Sequence, residues 1–109
     1  MTALMHLNSQ TASLTMTPER VKLVLKHADS ALLLRKPSGQ WDLPGGRRDS
    51  DEALQATLVR EVYEETGMSV TAPVYLGDYL RLRGARPPVL VAFYGATLPK
   101  NWSLATLKL

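Results

Sequence analysis

Residues 46–68 read GRRDSDEALQATLVREVYEETGM, and this stretch decides most of what the sequence establishes. Glu61, Glu64 and Glu65 stand at positions i, i+3 and i+4, so on a helix they project from one face. Like charges at this spacing cost an isolated helix about 0.2–0.5 kcal/mol per pair. A bound cation would offset that cost, and carboxylate oxygens are the ligands that Mg²⁺ and Mn²⁺ prefer.

The residues around these glutamates predict a helix with defined ends. Residues 49–51 (Asp-Ser-Asp) supply N-cap candidates and place negative charge at the positive end of the helix dipole. Leu54, Leu58 and Val62 recur at i, i+4 steps and predict a buried stripe beside the acidic face. Gly67 follows the last helical residue, where a left-handed cap is common. Upstream, residues 41–46 (WDLPGG) predict a short extended segment that breaks into a glycine turn.

The fixed positions of residues 46–68 follow the pattern G-x5-E-x7-R-E-U-x-E-E-x-G-U, in which Val62 and Met68 fill the apolar positions U. In this complete pattern, and in the LPGG at 43–46, the chain resembles the Nudix hydrolases. The alternative is a glutamate-rich, solvated surface helix. That alternative requires two glycines, Arg60 and four glutamates to fall in register by chance, so we favour the resemblance.

The resemblance implies an α/β fold of the Nudix type, an α/β/α sandwich with a mixed sheet. It also implies a metal-dependent hydrolase that cleaves the pyrophosphate bond of a nucleoside diphosphate linked to another group, with Mg²⁺ or Mn²⁺ as cofactor. The physical reason is that a pyrophosphate repels an attacking oxygen, so divalent ions must neutralise it and activate the water. The expected partner is a small nucleotide substrate.

Carried over by position, the resemblance assigns metal binding to Gly46, Glu61, Glu64 and Glu65. The three glutamates and Arg60 form the predicted catalytic set, with one glutamate or a nearby carboxylate as the base. Arg60 is expected to orient the glutamates, because a guanidinium fork fixes carboxylate geometry. The alternative for Arg60 is an ordinary surface ion pair of little energetic weight.

Three more residues near the motif are candidates for substrate binding or support. Glu52 is expected to be either a ligand or a partner of Arg60, and we group it with Arg35 as a substrate-binding candidate. Arg35 and Lys36 could contact a substrate phosphate; the alternative for both is a solvated strand end.

Length and composition limit the remaining possibilities. The 109 residues suit one domain, predicted at 18–109 with a flexible tail at 1–17. There is no cysteine, which excludes disulfides and thiol chemistry and is compatible with the expected cytoplasmic location. No apolar run approaches the ~20 residues of a membrane span, and no secretory signal is evident, so no membrane partner is predicted.

The net charge of +3 is unevenly distributed. Residues 46–67 carry three arginines and six acidic residues, a net of −3, so the rest of the chain carries +6. Acidic and basic regions together suit a polyanionic substrate bridged by cations; the alternative is that scattered basic residues solubilise the surface. Nucleic acid is not predicted as a partner, capped RNA excepted, because no basic run with interleaved aromatics occurs.

Apolar alternation predicts strands before and after the helix. The first two are expected to form a hairpin, followed by a loop at 36–39, and the last two are joined by a basic turn at 83–88. The predicted strands are 20–27, 31–35, 69–72, 74–82 and 89–97.

The end of the chain departs from the pattern that the resemblance implies. A further strand and a second large helix are expected after residue 97, but the chain ends at Leu109, so the C-terminal part is expected to be short and its helix missing. Either the domain is truncated or divergent, or a partner subunit, for example in a homodimer, covers the exposed sheet face. A non-catalytic Nudix-fold module that binds nucleotide or protein is therefore the alternative function.

Overall fold

The computed structural model describes residues 17–98, and the predicted tail (apart from Thr17) and the expectations for the C-terminal end lie outside this range. The fold is α/β, and the described residues form one helix and a mixed sheet. In chain order the elements are β1 Arg20–His27, β2 Ser30–Ala31, β3 Leu34–Arg35, β4 Trp41–Asp42, β5 Gly45–Arg47, α1 Leu54–Thr66, β6 Val74–Arg83 and β7 Arg86–Thr97. Within the described range no helix has the length and hydropathy of a membrane span.

Strand β1 organises the main sheet. On one side it pairs in parallel with β7, which pairs antiparallel with β6. On its other side it pairs antiparallel with β5 near its start and with β2 near its end. The two remaining short strands, β3 and β4, form a separate antiparallel pair. This arrangement places the glycine strand β5 directly beside β1, where it can be reached from α1.

The core lies between α1 and one face of the main sheet. Val21, Leu23 and Leu25 alternate along β1, as predicted, and are almost completely buried against Leu58 and Val62 of the helix. Each buried aliphatic side chain of this size contributes about 1.5–3 kcal/mol. The intervening β1 residues, including Lys22, point to the opposite face of the sheet.

The predicted helix is confirmed, but its predicted N-cap is wrong. The residue that precedes the helix is Ala53, which makes no side-chain capping bond. Residues 49–51 lie in a turn closed by a bond from the Glu52 amide to the Asp49 carbonyl, 3.1 Å long. At the other end Gly67 adopts φ 77°, the left-handed cap that was predicted.

The predicted strand at 31–35 is divided. Ser30–Ala31 pairs with β1, and the amide of Leu32 still donates to the carbonyl of Leu25 (3.0 Å). The chain then leaves β1, and Leu34–Arg35 pairs with Trp41–Asp42 instead. An apolar run predicts extended backbone here, but it does not specify the pairing partner.

Three other boundaries also differ from the predictions. Residues 45–47 form a strand on β1 rather than a glycine turn. Residues 69–72 are not a strand, because Ala72 turns the chain at φ 49° just before Pro73. The turn predicted at 83–88 is confined to residues 84–85, so β7 already begins at Arg86.

Candidate active site

The glycines of β5 allow the helix to approach the sheet. A Cβ atom on Gly46 would overlap the carboxylate of Glu61, so only glycine leaves room for that side chain. A Cβ on Gly45 would overlap the backbone carbonyl of Val21, and Gly45 has φ 145°, a region open to glycine. The two positions therefore have different roles: one admits a functional side chain, and the other permits strand pairing.

Glu65 meets the same strand from the helix. Its Oε1 accepts a hydrogen bond from the amide of Gly45, with an N–O distance of 2.9 Å. Burial raises the pKa of Glu65, the Gly45 hydrogen bond opposes that rise, and the nearby charge of Glu61 adds to it. Two like charges thus converge on one glycine strand, a costly arrangement that a bound cation would relieve.

Arg60 lies at the centre of an acidic network, which we call the arginine cluster: Arg60 with Asp49, Glu52, Glu61 and Glu64. Its Nε and Nη2 donate to the two oxygens of Glu52 at 2.8 and 2.9 Å. Its Nη1 donates to Glu61 at 2.9 Å and to Glu64 at 3.3 Å. Arg60 therefore connects the start of the helix to the glutamates that follow it.

Glu52 accepts several hydrogen bonds within this network. Besides its two bonds to Arg60, its Oε1 accepts from the Thr57 hydroxyl at 2.8 Å and from the Asp49 amide at 3.1 Å. The hydrogen bonds from Arg60 are the main reason that the pKa of Glu52 falls from 4.5 to about 2. The same bonds to Glu52 raise the pKa of Arg60. Of the roles predicted for Glu52 (metal ligand, partner of Arg60 or substrate-binding residue), the geometry matches that of a partner of Arg60.

A second ionic group consists of Lys22 of β1, Asp42 of β4 and Lys36, and we call it the lysine cluster. Both ammonium groups contact the same carboxylate oxygen, Oδ2 of Asp42, at 2.8 Å from Lys22 and 3.0 Å from Lys36. Burial raises the pKa of Asp42, but the hydrogen bonds from the two lysines outweigh it and lower that pKa to about 2. Asp42 is therefore ionised at neutral pH, and the cluster carries one net positive charge.

A cavity of about 360 Å³ is lined by residues of both clusters. Its acidic wall contains Glu61 and Glu65 beside the backbone of Gly45 and Gly46. Its other lining residues include the lysine cluster and two arginines, Arg20 and Arg47. An anion entering the cavity would meet cationic side chains, while a cation would meet the two glutamates.

The structure does not bring every predicted site residue to this cavity. Arg35 does not line it; its guanidinium lies 6.0 Å from the centre of the Trp41 ring. Glu52, Arg60 and Glu64 also lie outside the lining, and the side chain of Glu64 is 56% exposed. The main residues that sequence reasoning missed are Lys22 and Asp42. No local signal identifies them, because they are 20 residues apart and β1 alternation alone would place Lys22 in solvent.

The donors present suit a hard divalent ion, although the described residues do not form a complete cage. Glu61 offers carboxylate oxygens next to Gly46 and Glu65 offers them next to Gly45, the chemistry that Mg²⁺ and Mn²⁺ accept. Between residues 17 and 98, no three acidic or histidine side chains converge as a ready metal site. Glu64 is instead drawn to Arg60. The glutamate pair thus fits the ion, and further ligands would have to come from water or substrate.

Comparison with known proteins adds independent findings. The family model described as NUDIX domain matches residues 10–102. The chain is 42% identical over 60 residues to a Bacillus subtilis protein named "Putative 8-oxo-dGTP diphosphatase", covering 54% of this chain and 40% of that protein. It is 31% identical over 68 residues to the CTP pyrophosphohydrolase of Escherichia coli, covering 58% of this chain and 50% of the relative. The chain thus spans half or less of the length of these two curated relatives.

A solved structure gives the same picture of the fold. The crystal structure of the Bacillus subtilis pyrophosphohydrolase BsRppH superposes with a TM-score of 0.65 at 26% identity. The superposition covers 84% of this chain and 59% of that one. The mixed sheet and its single described helix therefore have a counterpart in an experimentally determined protein.

Proposed function

This chain belongs to the NUDIX domain family, and from that premise we propose that it is a metal-dependent hydrolase of nucleotide pyrophosphate bonds. The substrate would be a nucleoside diphosphate linked to another group. The main support for the proposal is the convergence of Glu61 and Glu65 on the glycine strand, at a cavity that also has four basic lining residues. The names of the relatives, a diphosphatase and two pyrophosphohydrolases, support the same class of reaction.

In this proposal the glutamates bind the metal ion, and one of them accepts the proton of the attacking water. Glu61 and Glu65 would hold Mg²⁺ or Mn²⁺ together with the backbone of Gly46, and Glu64 is a third ligand on the sequence pattern alone. When bound, the ion would neutralise phosphate charge and make water a better nucleophile. The water oxygen forms a bond to phosphorus, the bridging P–O bond breaks, and one of the three glutamates takes the proton.

The arginine cluster would position the acidic wall. Arg60 engages both oxygens of Glu52 and one oxygen of Glu61, so the carboxylate of Glu61 is fixed in direction. Catalysis is sensitive to such fixing, because a displacement of about 1 Å can cost about 100-fold in rate. Arg60 and Glu52 are therefore proposed as positioning residues. Arg35 remains a candidate for substrate binding, although it does not line the cavity.

A second candidate function is a Nudix-fold module that binds nucleotide without hydrolysing it. One observation favours it: no group of three acidic or histidine side chains in the described range converges as a metal site. Such a module would bind metal and nucleotide weakly and release no product.

A substrate panel separates the two candidates. ADP-ribose, a dinucleoside polyphosphate, 8-oxo-dGTP, CTP and capped RNA would be offered with Mg²⁺ or Mn²⁺, and phosphate-containing products measured. The proposed enzyme releases product from at least one compound, and Glu65→Gln slows this release by about 100-fold or more. Glu19→Gln makes the same change at an exposed glutamate outside the cavity and should leave the rate unaltered. A fully folded wild type that binds nucleotide but hydrolyses no compound in the panel would contradict the enzyme and support the binding module.

A further inference from the structure

The basic wall of the cavity contains a lysine that is unusually well buried. The side chain of Lys22 is only 11% exposed, and lysine is rarely buried to this extent unless it is paired. Its partner is Asp42, whose Oδ2 also contacts the half-exposed Lys36. A single lysine–aspartate pair would suffice to connect β1 to β4. The second lysine on the same oxygen adds like-charge repulsion and so calls for another explanation.

The hydrogen-bond inventory of the lysine cluster leaves donors for a ligand. An ammonium group has three N–H donors. Lys22 uses two of them, one to Asp42 at 2.8 Å and one to the carbonyl of Leu43 at 3.3 Å. The Lys36 ammonium group has one ion pair within the described residues, to Asp42. The cluster can therefore donate hydrogen bonds to an anion without losing the pairing that holds it in place.

The lysine cluster is close to the acidic wall but remains separate from it. Lys22 and Lys36 line the same cavity as Glu61 and Glu65, yet among the described residues no ion pair joins either lysine to either glutamate. The charge of Lys22 nevertheless acts on Glu65, so the two groups lie within electrostatic range. A linear polyanion could thus place one part at the glutamates and their ion and the next part at the lysines.

We propose that Lys22 and Lys36, positioned by Asp42, bind a phosphoryl group beyond the diphosphate that lies at Glu61 and Glu65. The site then selects substrates with a chain of three or more phosphates, the nucleoside triphosphate class, over diphosphates whose next group is an uncharged sugar. This inference rests on the proposed function, because it assumes that the cavity is the substrate site.

Steady-state kinetics on two substrates test this selectivity. CTP carries three phosphates, whereas ADP-ribose carries two that are flanked by uncharged sugars. For Lys22→Met and Lys36→Met we expect kcat/KM for CTP to fall about ten-fold or more, through KM, as for the loss of a charged hydrogen bond. The value for ADP-ribose should change little. Lys26→Met, at an exposed lysine of β1 outside this cavity, is the matched control.

A binding measurement decides the matter even if neither nucleotide is hydrolysed. Inorganic triphosphate and inorganic diphosphate, each with Mg²⁺, would be titrated calorimetrically into the wild type and the lysine variants. We expect the wild type and Lys26→Met to prefer triphosphate, and Lys36→Met and Lys22→Met to lose that preference. Lys36 is half exposed, so its variant should fold, and Lys22→Arg retains the charge if Lys22→Met does not fold.

The two proposals fail in different ways. A preference for triphosphate that depends on the lysines, in a protein that hydrolyses no nucleotide, would support this inference and contradict the hydrolase. Hydrolysis by a wild type whose triphosphate preference is unchanged in both lysine variants would overturn this inference alone. Equal losses on CTP and ADP-ribose would also overturn it, because they indicate a general structural role for the lysines.

Discussion

The arginine cluster and the lysine cluster both contribute residues to one cavity but have opposite compositions. One arginine serves four carboxylates in the first, whereas two lysines share one carboxylate in the second. The first group therefore keeps negative charge in excess and the second keeps positive charge in excess. The contrast places side chains suited to cations and side chains suited to phosphates around one cavity.

The largest expected effect comes from removing negative charge on the acidic wall. Glu61→Gln and Glu65→Gln should each lower kcat about 10²–10⁴-fold, the range for loss of a catalytic acid or base. Glu64→Gln should cost less, since Glu64 is outside the cavity lining and mostly exposed. The kcat values of the three variants on the best substrate of the panel measure this order. Equal losses at all three positions would mean that the glutamates rearrange together when substrate binds.

Alanine substitutions at the two glycines of β5 should have different effects: Gly46→Ala should lower activity, and Gly45→Ala should lower stability. In Gly46→Ala the new methyl group meets only the flexible end of Glu61, so the fold should persist while the displaced carboxylate lowers kcat about 100-fold. In Gly45→Ala the methyl group meets the backbone of β1 at a positive φ, so unfolding free energy should fall by more than about 1 kcal/mol.

Urea unfolding and initial rates on both glycine variants would check this separation. A Gly46→Ala protein that is as unstable as Gly45→Ala would show that Glu61 cannot move aside. It would mean that the acidic wall is part of the packed core rather than an adaptable site.

Low pH should weaken the ion pairs of both clusters. The pH at which the stability of the protein begins to fall should differ between the two clusters. The folded protein holds the pKa of Glu52 at about 2 instead of 4.5, and that of Asp42 at about 2 instead of 3.8. A depressed pKa contributes stability above the ordinary value, and that contribution disappears as the pH falls towards the folded value. Stability should therefore begin to fall near pH 4.5 through Glu52, and only near pH 3.8 through Asp42.

Urea midpoints of the wild type, Glu52→Gln and Asp42→Asn, taken from neutral pH down to about pH 3, test this onset. The pH dependence of Glu52→Gln should be flatter from pH 4.5 downward, and that of Asp42→Asn from pH 3.8 downward. Identical pH profiles for all three proteins would show that neither ion pair persists in solution.

The two clusters also differ in how far local sequence patterns could predict them. The acidic face, the stripe of Leu58 and Val62 and the Gly67 cap depend on residues a few positions apart, so helical spacing predicts them. The pairing of Lys22 with Asp42 depends on how β1 and β4 are arranged, and no local pattern encodes that contact.

Local signals also failed where residues found other partners. Asp49, an N-cap candidate, is drawn towards Arg60, 3.5 Å away, and the helix begins uncapped after Ala53. Arg35, a phosphate candidate, lies over Trp41 instead of entering the cavity. In both cases the residue type was suited to the predicted role, but tertiary contacts placed the side chain elsewhere.

Calorimetric titration with Mn²⁺ examines metal binding by the acidic wall without any substrate. We expect saturable binding to the wild type and to Glu19→Gln, and its loss in Glu61→Gln and Glu65→Gln. Binding of equal strength in all four proteins, or none in the wild type, would contradict the assignment of the acidic wall as the metal site.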